Sequence, residues 1–345
     1  MTGKRLVLRL AMLLAVVALV VAGGASARTD GAAAPKAKQA TFKIGLVTDI
    51  GGLNDRSFNH LAYLGLQRAK SKLKVQTRVL TSASGSDYVP NLATLAQAKY
   101  NLIIGVGFLM SDAVNTVATR FPQQKFAIID FSQAALKDKP KNVRGLLFKE
   151  QEAGYLVGYL AGLEEKARKG ADVVSSVGGQ KIPPVDHYIA GYKAGAKKAD
   201  KKVKVLNGYS QSFTDVAACK ELALNQIAAG SHVVFQVAGG CGLGALDAAK
   251  EKKVWGIGVD ADQAYLGSQI LTSALKKVDV AVYTAIRQVK AGTFKGGGDT
   301  TFSVKNGGVG IGKISKKIPA AWVKKVKAIQ KQIATGKIKN IPTTV

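Results

Sequence analysis

The stretch that decides the fold runs from FKIGLV at residues 42–47, through SFNHLAYLGLQRAKSK at 57–72, to VQTRVL at 75–80. The first and third segments are short and apolar and contain β-branched residues, which is typical of strands. The segment between them carries apolar residues at helical spacing and therefore predicts an amphipathic helix. A strand, a helix and a second strand in this order predict a right-handed βαβ unit with parallel strands.

The same alternation continues along the chain and is repeated in its second half. Because no long Pro- or Ser-rich linker separates the two runs, we expect several short crossovers between two doubly wound α/β lobes. The predicted strands are 102–106, 126–129, 172–177, 203–207, 232–237 and 254–259, and the predicted helices are 88–98, 111–120, 150–165, 184–198, 215–229 and 242–251.

Length and composition set the outer bounds on function. The chain has 345 residues, and single cores usually stop growing at about 250–300 residues, so two domains are expected. An apolar fraction of 47% excludes a disordered chain or a fibre. The formal net charge of +28 indicates an anionic partner, for which nucleic acid or an anionic surface are the usual candidates.

The N-terminus argues against nucleic acid. Residues 1–27 have the layout of a secretory signal peptide, with Lys4, Arg5 and Arg9 before an apolar run and small residues at 25–27. An uncleaved anchor is the alternative, but the apolar run is shorter than the roughly 20 residues of a membrane span. Residues 28–40 predict a disordered tether. We therefore expect an exported protein, in the periplasm or at the outer face of the cytoplasmic membrane, with no lipid-accepting cysteine near the cleavage site.

Acidic residues collect where the predicted strands end. Ligands of doubly wound sheets bind outside the carboxyl ends of the strands, so these acids should share one rim. Any one of them could instead be a helix N-cap. A rim that concentrates acids in a basic chain predicts a neutral or locally acidic cleft, unlike a phosphate site. The six acids are Asp49, Asp55, Asp130, Asp215, Asp260 and Asp262.

Two aromatic residues flank the same rim. Phe58 and Phe213 come from opposite halves of the chain, so they could sandwich a flat ring if the lobes close. Each could equally belong to the core of its own lobe. Together with the carboxylates and amides, which suit hydroxyl and N–H groups, they predict a neutral aromatic ligand that bears a polyol.

TDIGGLNDRSFN at 48–59 opens an ordered series of motifs that ends with GIGVDADQ at 256–263 and LTSALK at 271–276. This series resembles the basic membrane protein family, the purine-nucleoside-binding lipoproteins of ABC transporters. The resemblance implies a type I periplasmic-binding-protein fold with a three-crossover hinge. We expect an N-terminal lobe of residues 41–148 plus 264–300 and a C-terminal lobe of 149–263 plus 301–345. The motifs are TDIGGLNDRSFN at 48–59, GVGF at 105–108, FAIID at 126–130, EQEAGYL at 150–156, SFTD at 212–215, AGG at 238–240, GIGVDADQ at 256–263 and LTSALK at 271–276.

The resemblance also implies a role for individual residues. Asp49 and Asn54 would bind the purine edge, and Phe58 and Phe213 would stack on its faces. Asp130 would line the base end, whereas Gly239, Asp260 and Lys276 would hold the ribose, with Asp260 accepting two hydroxyls. The chain departs from the family pattern by lacking the lipidated cysteine and by carrying Cys241 near the ribose contact.

Cys219 and Cys241 fall at the same edge of one predicted βαβ unit. In an oxidising compartment this placement favours a disulfide, and two separate buried thiols are the alternative. Neither cysteine has a His or a second Cys at metal-binding spacing, so we expect no metal site.

Enzyme functions leave weaker signals. GCGLGA at 240–245 matches the G-x-G-x-x-A dinucleotide motif, but Gly-rich turns are common in such folds. His60, His187 and His232 are scattered and suggest no base–nucleophile pair. We therefore expect a solute receptor that requires no cofactor, and not a nucleoside hydrolase or a dehydrogenase.

The remaining alternatives concern the ligand and the partners. A receptor for another neutral sugar-like ligand, or a sensor, would use the same cleft. Residues 301–345 contain ten lysines and no acid, which suggests either a solvated face or contact with an anionic membrane or cell wall. The expected partners are a purine nucleoside and an ABC permease, and we expect a monomer.

Overall fold

Two six-stranded sheets carry the fold. The computed structural model describes residues 42–345, so the predicted signal peptide and tether lie outside the described residues. The strands are β1 (Lys43–Val47), β2 (Gln76–Leu80), β3 (Leu102–Gly105), β4 (Phe126–Ile129), β5 (Val143–Phe148), β6 (Val173–Gly178), β7 (Lys204–Tyr209), β8 (Val233–Val237), β9 (Trp255–Asp260), β10 (Ile270–Lys276), β11 (Gly298–Phe302) and β12 (Val309–Ile311).

The strand order defines the two lobes. The first sheet has the order β11-β5-β4-β3-β1-β2, with every pair parallel. The second has the order β12-β10-β9-β8-β6-β7, in which only β12 runs antiparallel, against β10. β3 and β4 are buried along their whole length, as expected for central strands of a sheet covered on both faces. The expected two-lobed α/β fold is confirmed.

Helices cover the faces of both sheets. Their bounds agree with the helical periodicity of the sequence to within two residues wherever a helix was predicted. The helices are α1 (Phe58–Leu73), α2 (Tyr88–Gln97), α3 (Ser111–Arg120), α4 (Glu150–Ala167), α5 (Pro183–Ala199), α6 (Val216–Ala228), α7 (Gly242–Glu251), α8 (Val278–Lys290) and α9 (Ala320–Ala334). None of the helices in the described part of the chain has the length and apolar character that crossing a membrane requires.

The chain passes between the sheets three times. The crossings follow Phe148, Lys276 and Phe302, at the ends of β5, β10 and β11. They are tied to one another, because the Lys149 N–H donates to the Phe302 carbonyl at 2.8 Å and the Phe148 and Phe302 rings stack at 5.0 Å. The Lys277 N–H donates at 2.8 Å to the carbonyl of Gly308, between β11 and β12. Three linked crossings form a hinge between the lobes.

One expected lobe boundary differs from the structure. Residues 264–300 were assigned to the N-terminal lobe, but β10 pairs with β9 in the second sheet. The crossing therefore follows Lys276 rather than residue 263, and only α8 and β11 of this segment return to the first lobe, where α8 packs on α1. The first boundary, after Phe148, agrees with the structure. Alternation of strands and helices reveals strands, but the sheet that a strand joins depends on contacts remote in sequence.

Helices α4 and α5 approach each other so closely that glycine is required at their contact. A Cβ atom added at any of five glycines would collide with a backbone carbonyl of the opposite helix. Because residues four apart lie on one helix face, the glycines form a matched stripe on each helix. They are Gly154, Gly158 and Gly162 on α4, and Gly191 and Gly195 on α5.

We predict that Gly158→Ala lowers the free energy of unfolding by about 2–3 kcal/mol, because the new methyl group would overlap the Tyr192 carbonyl. Urea unfolding followed by circular dichroism measures the change. Gly85→Ala is the matched control, since a Cβ there meets nothing closer than a Tyr88 ring atom at 3.8 Å. Equal unfolding midpoints for the two variants would contradict the close packing of α4 on α5.

Candidate functional site

A cavity of about 610 Å³ lies between the lobes at the carboxyl ends of both sheets. This space includes the open solvent at the mouth of the cleft. The first lobe contributes Asp49, Gly51, Asp55, Phe58, Asn59, Gly107, Phe108, Leu109 and Asp130, and the second contributes Ile182, Pro184, Val185, Tyr188, Phe213, Val237, Gly239, Gly240, Val259, Asp260 and Lys276.

Asp49 and Asn59 form one polar wall of the cavity. Asp49 Oδ1 accepts hydrogen bonds from the Gly51 N–H at 2.9 Å and from Asn59 Nδ2 at 2.7 Å. Burial raises the pKa of Asp49 to about 6, although these hydrogen bonds act to lower it. The side-chain amide oxygen of Asn59, Oδ1, is buried and has no hydrogen-bond partner among the described residues. A buried acceptor of this kind calls for a donor, which a ligand can supply.

Asp55 serves the backbone although it lines the cavity. Its two carboxylate oxygens accept the N–H groups of Ser57, Asn59 and His60 at 2.7–3.0 Å. These are N–H groups at the start of α1, which have no partner within the helix. Asp55 therefore fixes the start of α1 and, through it, the positions of Phe58 and Asn59.

Asn54, which the resemblance places at the purine edge, lies outside the cavity. Asn54 is exposed and does not line the cavity, whereas Asn59, in the same motif, does. The assignment of Asn54 rests on the family resemblance. The start of α1 at Phe58 was a signal for the other choice, because it turns the second residue of the helix back towards Asp49 at the end of β1.

Phe58 and Phe213 line the cavity from opposite lobes, as expected, and both are half-buried. Phe213 packs against the backbone of Gly179, where a Cβ atom would collide with its ring. Sequence reasoning missed the apolar residues between the two rings. Phe108 and Leu109 follow β3, and Ile182, Pro184, Val185 and Tyr188 lie in or just before the first turns of α5.

Asp260 is held at the end of β9 by both lobes. Its Oδ2 accepts the Ser57 hydroxyl at 2.8 Å from the first lobe, and its Oδ1 accepts the Tyr188 hydroxyl at 3.2 Å from the second. Burial raises the pKa of Asp260 to about 6, although Lys276 and the two hydroxyls oppose the shift. Asp130 and Asp260 have φ values of 67° and 60°, so both strand ends hold an Asp in the left-handed region.

Lys276 connects the lobes through a buried cluster of charges. Its Nζ lies 2.6 Å from Asp130 Oδ2 and 2.9 Å from Glu150 Oε1, and its side chain is 2% exposed. The ammonium also lies over the rings of Phe58 and Phe148, at 5.1 and 4.9 Å from their centroids. Because an ammonium carries three donors, one remains for a ligand.

Two carboxyls share this one ammonium, and their pKa values move apart. Burial raises the pKa of Asp130 to about 7, since the attraction of Lys276 is opposed by the nearby Glu150. Burial would also raise the pKa of Glu150, but Lys276 and the hydrogen bond from His187 at 3.3 Å outweigh burial and lower it. Asp130 is therefore the carboxyl of the pair with the higher pKa, and its Oδ1 is buried without a partner among the described residues.

Gly239 and Gly240 form the backbone wall next to Phe213. Gly239 has φ +55°, a conformation that favours glycine, and a Cβ at either glycine would project next to Phe213. The Cys241 N–H that follows donates to the Phe213 carbonyl at 2.9 Å. Cys241 is joined to Cys219 by a disulfide with a Cα–Cα distance of 5.6 Å.

Two of the six rim acids serve the backbone outside the cavity. Asp215 accepts the Ala218 N–H at 3.0 Å as the N-cap of α6. Asp262 accepts the N–H groups of Ala264 and Lys313. The alternative of a helix cap or a turn therefore holds for these two residues, while Asp49, Asp55, Asp130 and Asp260 line the cavity.

The glycines of the dinucleotide-like motif are explained by packing. A Cβ at Gly242 would collide with the side chain of Gln236, and one at Gly244 with the backbone carbonyl of Val216. These contacts fill the space in which a pyrophosphate would approach the start of α7. Among residues 42–345, no group of three or more His, Cys, Asp or Glu side chains is placed to hold a metal ion.

Residues 42–343 match the family model of Bmp, described as an ABC transporter substrate-binding protein that is PnrA-like. The chain belongs to the Bmp family. It is therefore a substrate-binding protein of an ABC transporter and not an enzyme. The resemblance read from residues 48–59 and the later motifs is confirmed.

Individual relatives agree with this assignment. The ABC transporter nucleoside-binding protein BmpA of Lactococcus lactis is 36% identical over 90% of this chain and 91% of its own length. An uncharacterized lipoprotein of Pyrococcus abyssi is 38% identical over 87% of this chain and 74% of its own. A solved ABC transporter solute-binding protein of Aeropyrum pernix has a TM-score of 0.79 and 29% identity, covering 87% of this chain and 94% of its own. The type I periplasmic-binding-protein fold is thereby confirmed.

The raised carboxyl pKa values predict how the stability of this Bmp-family protein varies with pH. A carboxyl whose pKa is higher in the folded state stabilises that state at low pH and loses this contribution as the pH rises through the folded value. With Asp49 and Asp260 at about 6 and Asp130 at about 7, the free energy of unfolding without ligand should fall between pH 4 and pH 7.

In Asp260→Asn the free energy of unfolding should fall less between pH 4 and pH 7 than in wild type, by on the order of 3 kcal/mol. This figure follows because one pKa unit corresponds to about 1.4 kcal/mol. Urea unfolding at pH 4, 5.5 and 7 measures it. Asp112→Asn, at an exposed acid in the first turn of α3, is the matched control and should keep the wild-type profile. An Asp260→Asn profile parallel to wild type would contradict the assignment.

Proposed function

We propose that this Bmp-family protein binds a purine nucleoside in the cavity between its lobes and delivers it to an ABC permease. The observation that carries the proposal is the pair Phe58 and Phe213, which line one cavity from opposite lobes. A planar base placed between the two phenyl rings would bury both of its faces when the lobes close.

The acceptors at the first lobe suit the edge of a purine. The side-chain oxygens Asn59 Oδ1 and Asp130 Oδ1 are both buried without hydrogen-bond partners among the described residues. Asp49 stands beside Asn59 with its second oxygen, Oδ2, close to Gly107. Ring N–H and exocyclic amino groups would satisfy these acceptors, and leaving them unsatisfied costs about 1–3 kcal/mol each.

The second lobe offers groups that suit a ribose. The two oxygens of Asp260 can accept two neighbouring hydroxyls, and the backbone of Gly239 and Gly240 leaves room for the sugar. The remaining N–H donor of the Lys276 ammonium is available to the same sugar. We infer the roles of Asp49, Asn59, Phe58, Asp130, Phe213, Gly239, Asp260 and Lys276 from this placement.

The charges of the cavity favour a nucleoside over a nucleotide. Four aspartates line it against the single cation Lys276, which two carboxylates already neutralise. A phosphate would meet net negative charge, and the N–H groups at the start of α1 already donate to Asp55. A neutral ligand avoids this repulsion.

Capture and release would follow hinge closure. Ser57 donates from the first lobe to Asp260 of the second, and Lys276 of the second lobe pairs with Asp130 of the first. Both links lie beside the cavity, so the contacts that close the lobes and the contacts to the ligand involve the same side chains. A permease that separates the lobes would weaken both at once.

The relatives support the ligand class and the setting. The Lactococcus lactis relative is named a nucleoside-binding protein and the Pyrococcus abyssi relative a lipoprotein. We infer that this protein is likewise exported, with residues 1–27 as its signal peptide, and that it acts as a monomer at the outer face of the membrane. A receptor for another neutral sugar-like ligand and a sensor are the competing outcomes of the test below.

Titration calorimetry with guanosine, inosine, adenosine, cytidine, uridine and ribose tests the proposal. We expect purine nucleosides to bind most tightly and ribose alone to give no heat. Phe58→Ala and Phe213→Ala should each weaken binding by about 10- to 100-fold through lost stacking, and Asp260→Asn by a similar factor through lost hydroxyl contacts.

Phe121→Ala is the matched control, since this half-buried ring lies at the opposite end of the first sheet and does not line the cavity. It should bind like wild type. Chromatography of the incubated nucleoside should show no product. Heat from a sugar but from no nucleoside, or wild-type affinity in both Phe58→Ala and Asp260→Asn, would overturn the proposal.

We further infer that the exposed lysines of α9 contact an anionic surface of the cell envelope. On α9 the buried residues Val326, Ile329 and Ile333 point towards the protein, whereas Lys324, Lys325, Lys327 and Lys331 are exposed. The face lies within a segment of the chain that contains ten lysines and no acid. Near an anionic membrane each lysine can contribute about 1 kcal/mol at low salt.

Co-sedimentation with vesicles tests this partner. We expect binding to vesicles rich in phosphatidylglycerol, none to pure phosphatidylcholine, and loss of binding in high salt. Replacing the four α9 lysines by glutamine should weaken binding several-fold more than the same change at Lys197, Lys198, Lys201 and Lys202, which are also exposed. Equal losses would indicate that only the total charge matters.

A further inference from the structure

The disulfide between Cys219 and Cys241 lies behind the cavity wall that carries Phe213. Cys219 is in the first turn of α6, and Cys241 immediately precedes α7. Both cysteines are fully buried. The bond therefore joins the first turn of α6, which follows the Phe213-bearing loop at 210–215, to the end of the loop at 238–241, which carries Gly239 and Gly240.

The loop at 210–215 is held to the second sheet at its start, where the N–H groups of Ser210 and Gln211 donate to the carbonyls of Gly178 and Gly179. It follows β7, which is the edge strand of the second sheet and pairs only with β6. Most of its side-chain hydrogen bonds are internal, such as those from the N–H groups of Thr214 and Asp215 to Ser212 Oγ. The helix that follows it, α6, buries only Cys219, Ala223 and Gln226. It packs against α7, the helix that Cys241 precedes, so the disulfide links two elements that already touch.

The contacts between the two loops are concentrated at the disulfide. The Cys241 N–H donates to the carbonyl of Phe213 at 2.9 Å. A Cβ at Gly240 would lie 3.4 Å from the same carbonyl. The covalent bond and this hydrogen bond share residue 241, so both connect the same two segments of the cavity wall.

From this arrangement we propose that Cys219 and Cys241 are positioning residues for the ligand: their disulfide holds the Phe213 ring and the Gly239–Gly240 backbone at the spacing that the bound ring and sugar require. The inference rests on the proposed function for the identity of the ligand. It follows that the affinity of the receptor depends on the oxidised state of this pair. A dithiol converts the disulfide into two thiols and is itself oxidised to a disulfide, and this exchange would loosen the wall.

The first test needs no ligand and therefore stands apart from the proposed function. In Cys219→Ala/Cys241→Ala, amide hydrogen exchange at Gln211 and residue 241 should be at least 10-fold faster than in wild type. Exchange in α2 and β3 of the first lobe should be unchanged. Unchanged exchange in both loops would overturn the positioning role, whatever the protein binds.

The second test measures affinity by calorimetry with the purine nucleoside that wild type binds most tightly. The double-alanine variant should bind about 10-fold more weakly. In a Phe213→Ala background the same pair of alanines should cost less than 3-fold, because the disulfide acts through that ring. Equal costs in the two backgrounds would show that the bond only stabilises the lobe.

Leu95→Ala controls for a general loss of stability. Leu95 is fully buried in the first lobe, in α2, and does not line the cavity. It should lower the unfolding midpoint and leave the nucleoside affinity within 2-fold of wild type. If the double-alanine variant does not fold, wild-type protein reduced with dithiothreitol replaces it in both tests, with the same expected and overturning results.

Discussion

The ammonium of Lys276 lies between two carboxylates that the chain supplies from either side of its first crossing. Asp130 follows β4 of the first lobe, Glu150 begins α4 of the second, and Lys276 itself ends β10 just before the second crossing. A buried charge that loses its partner costs about 3–5 kcal/mol, so the three residues stay together. This buried ion cluster therefore holds the first two crossings together, and the cavity lies next to it.

This cluster also sets the charge that a ligand meets. One cation shared by two acids leaves negative charge, which together with burial raises the pKa of Asp130 to about 7. Asp55, Asp215 and Asp262, in contrast, direct their oxygens to backbone N–H groups. Acids at strand ends thus divide into those that hold the backbone and those that face the ligand, and their spacing in sequence does not distinguish the two groups.

Local patterns in the sequence predict most elements but not their partners. Alternating strands and helices, and the crossing after Phe148, could be read directly, because each depends on a short stretch of chain. β5, with its internal Arg144 and Gly145, breaks the apolar run that marks a strand, and only pairing with β4 and β11 makes it one. The lobe that β10 joins, and the choice of Asn59 over Asn54, likewise depend on contacts with residues far away in sequence. The family resemblance identified the site, whereas the hydrogen-bond partners of its residues required the fold.

The excess of positive charge and the acidic cavity are compatible because they act over different distances. Exposed charges are screened beyond a Debye length of about 8–10 Å at physiological salt, so the lysines on α9 have little influence on the potential between the lobes. Inside the cavity, screening by salt is weaker, so Asp130 and Asp260 interact with Lys276, and Asp49 interacts with Asp55. The net charge of +28 therefore reflects the exposed surface, whereas the charge inside the cavity is set by a few buried carboxyls and Lys276.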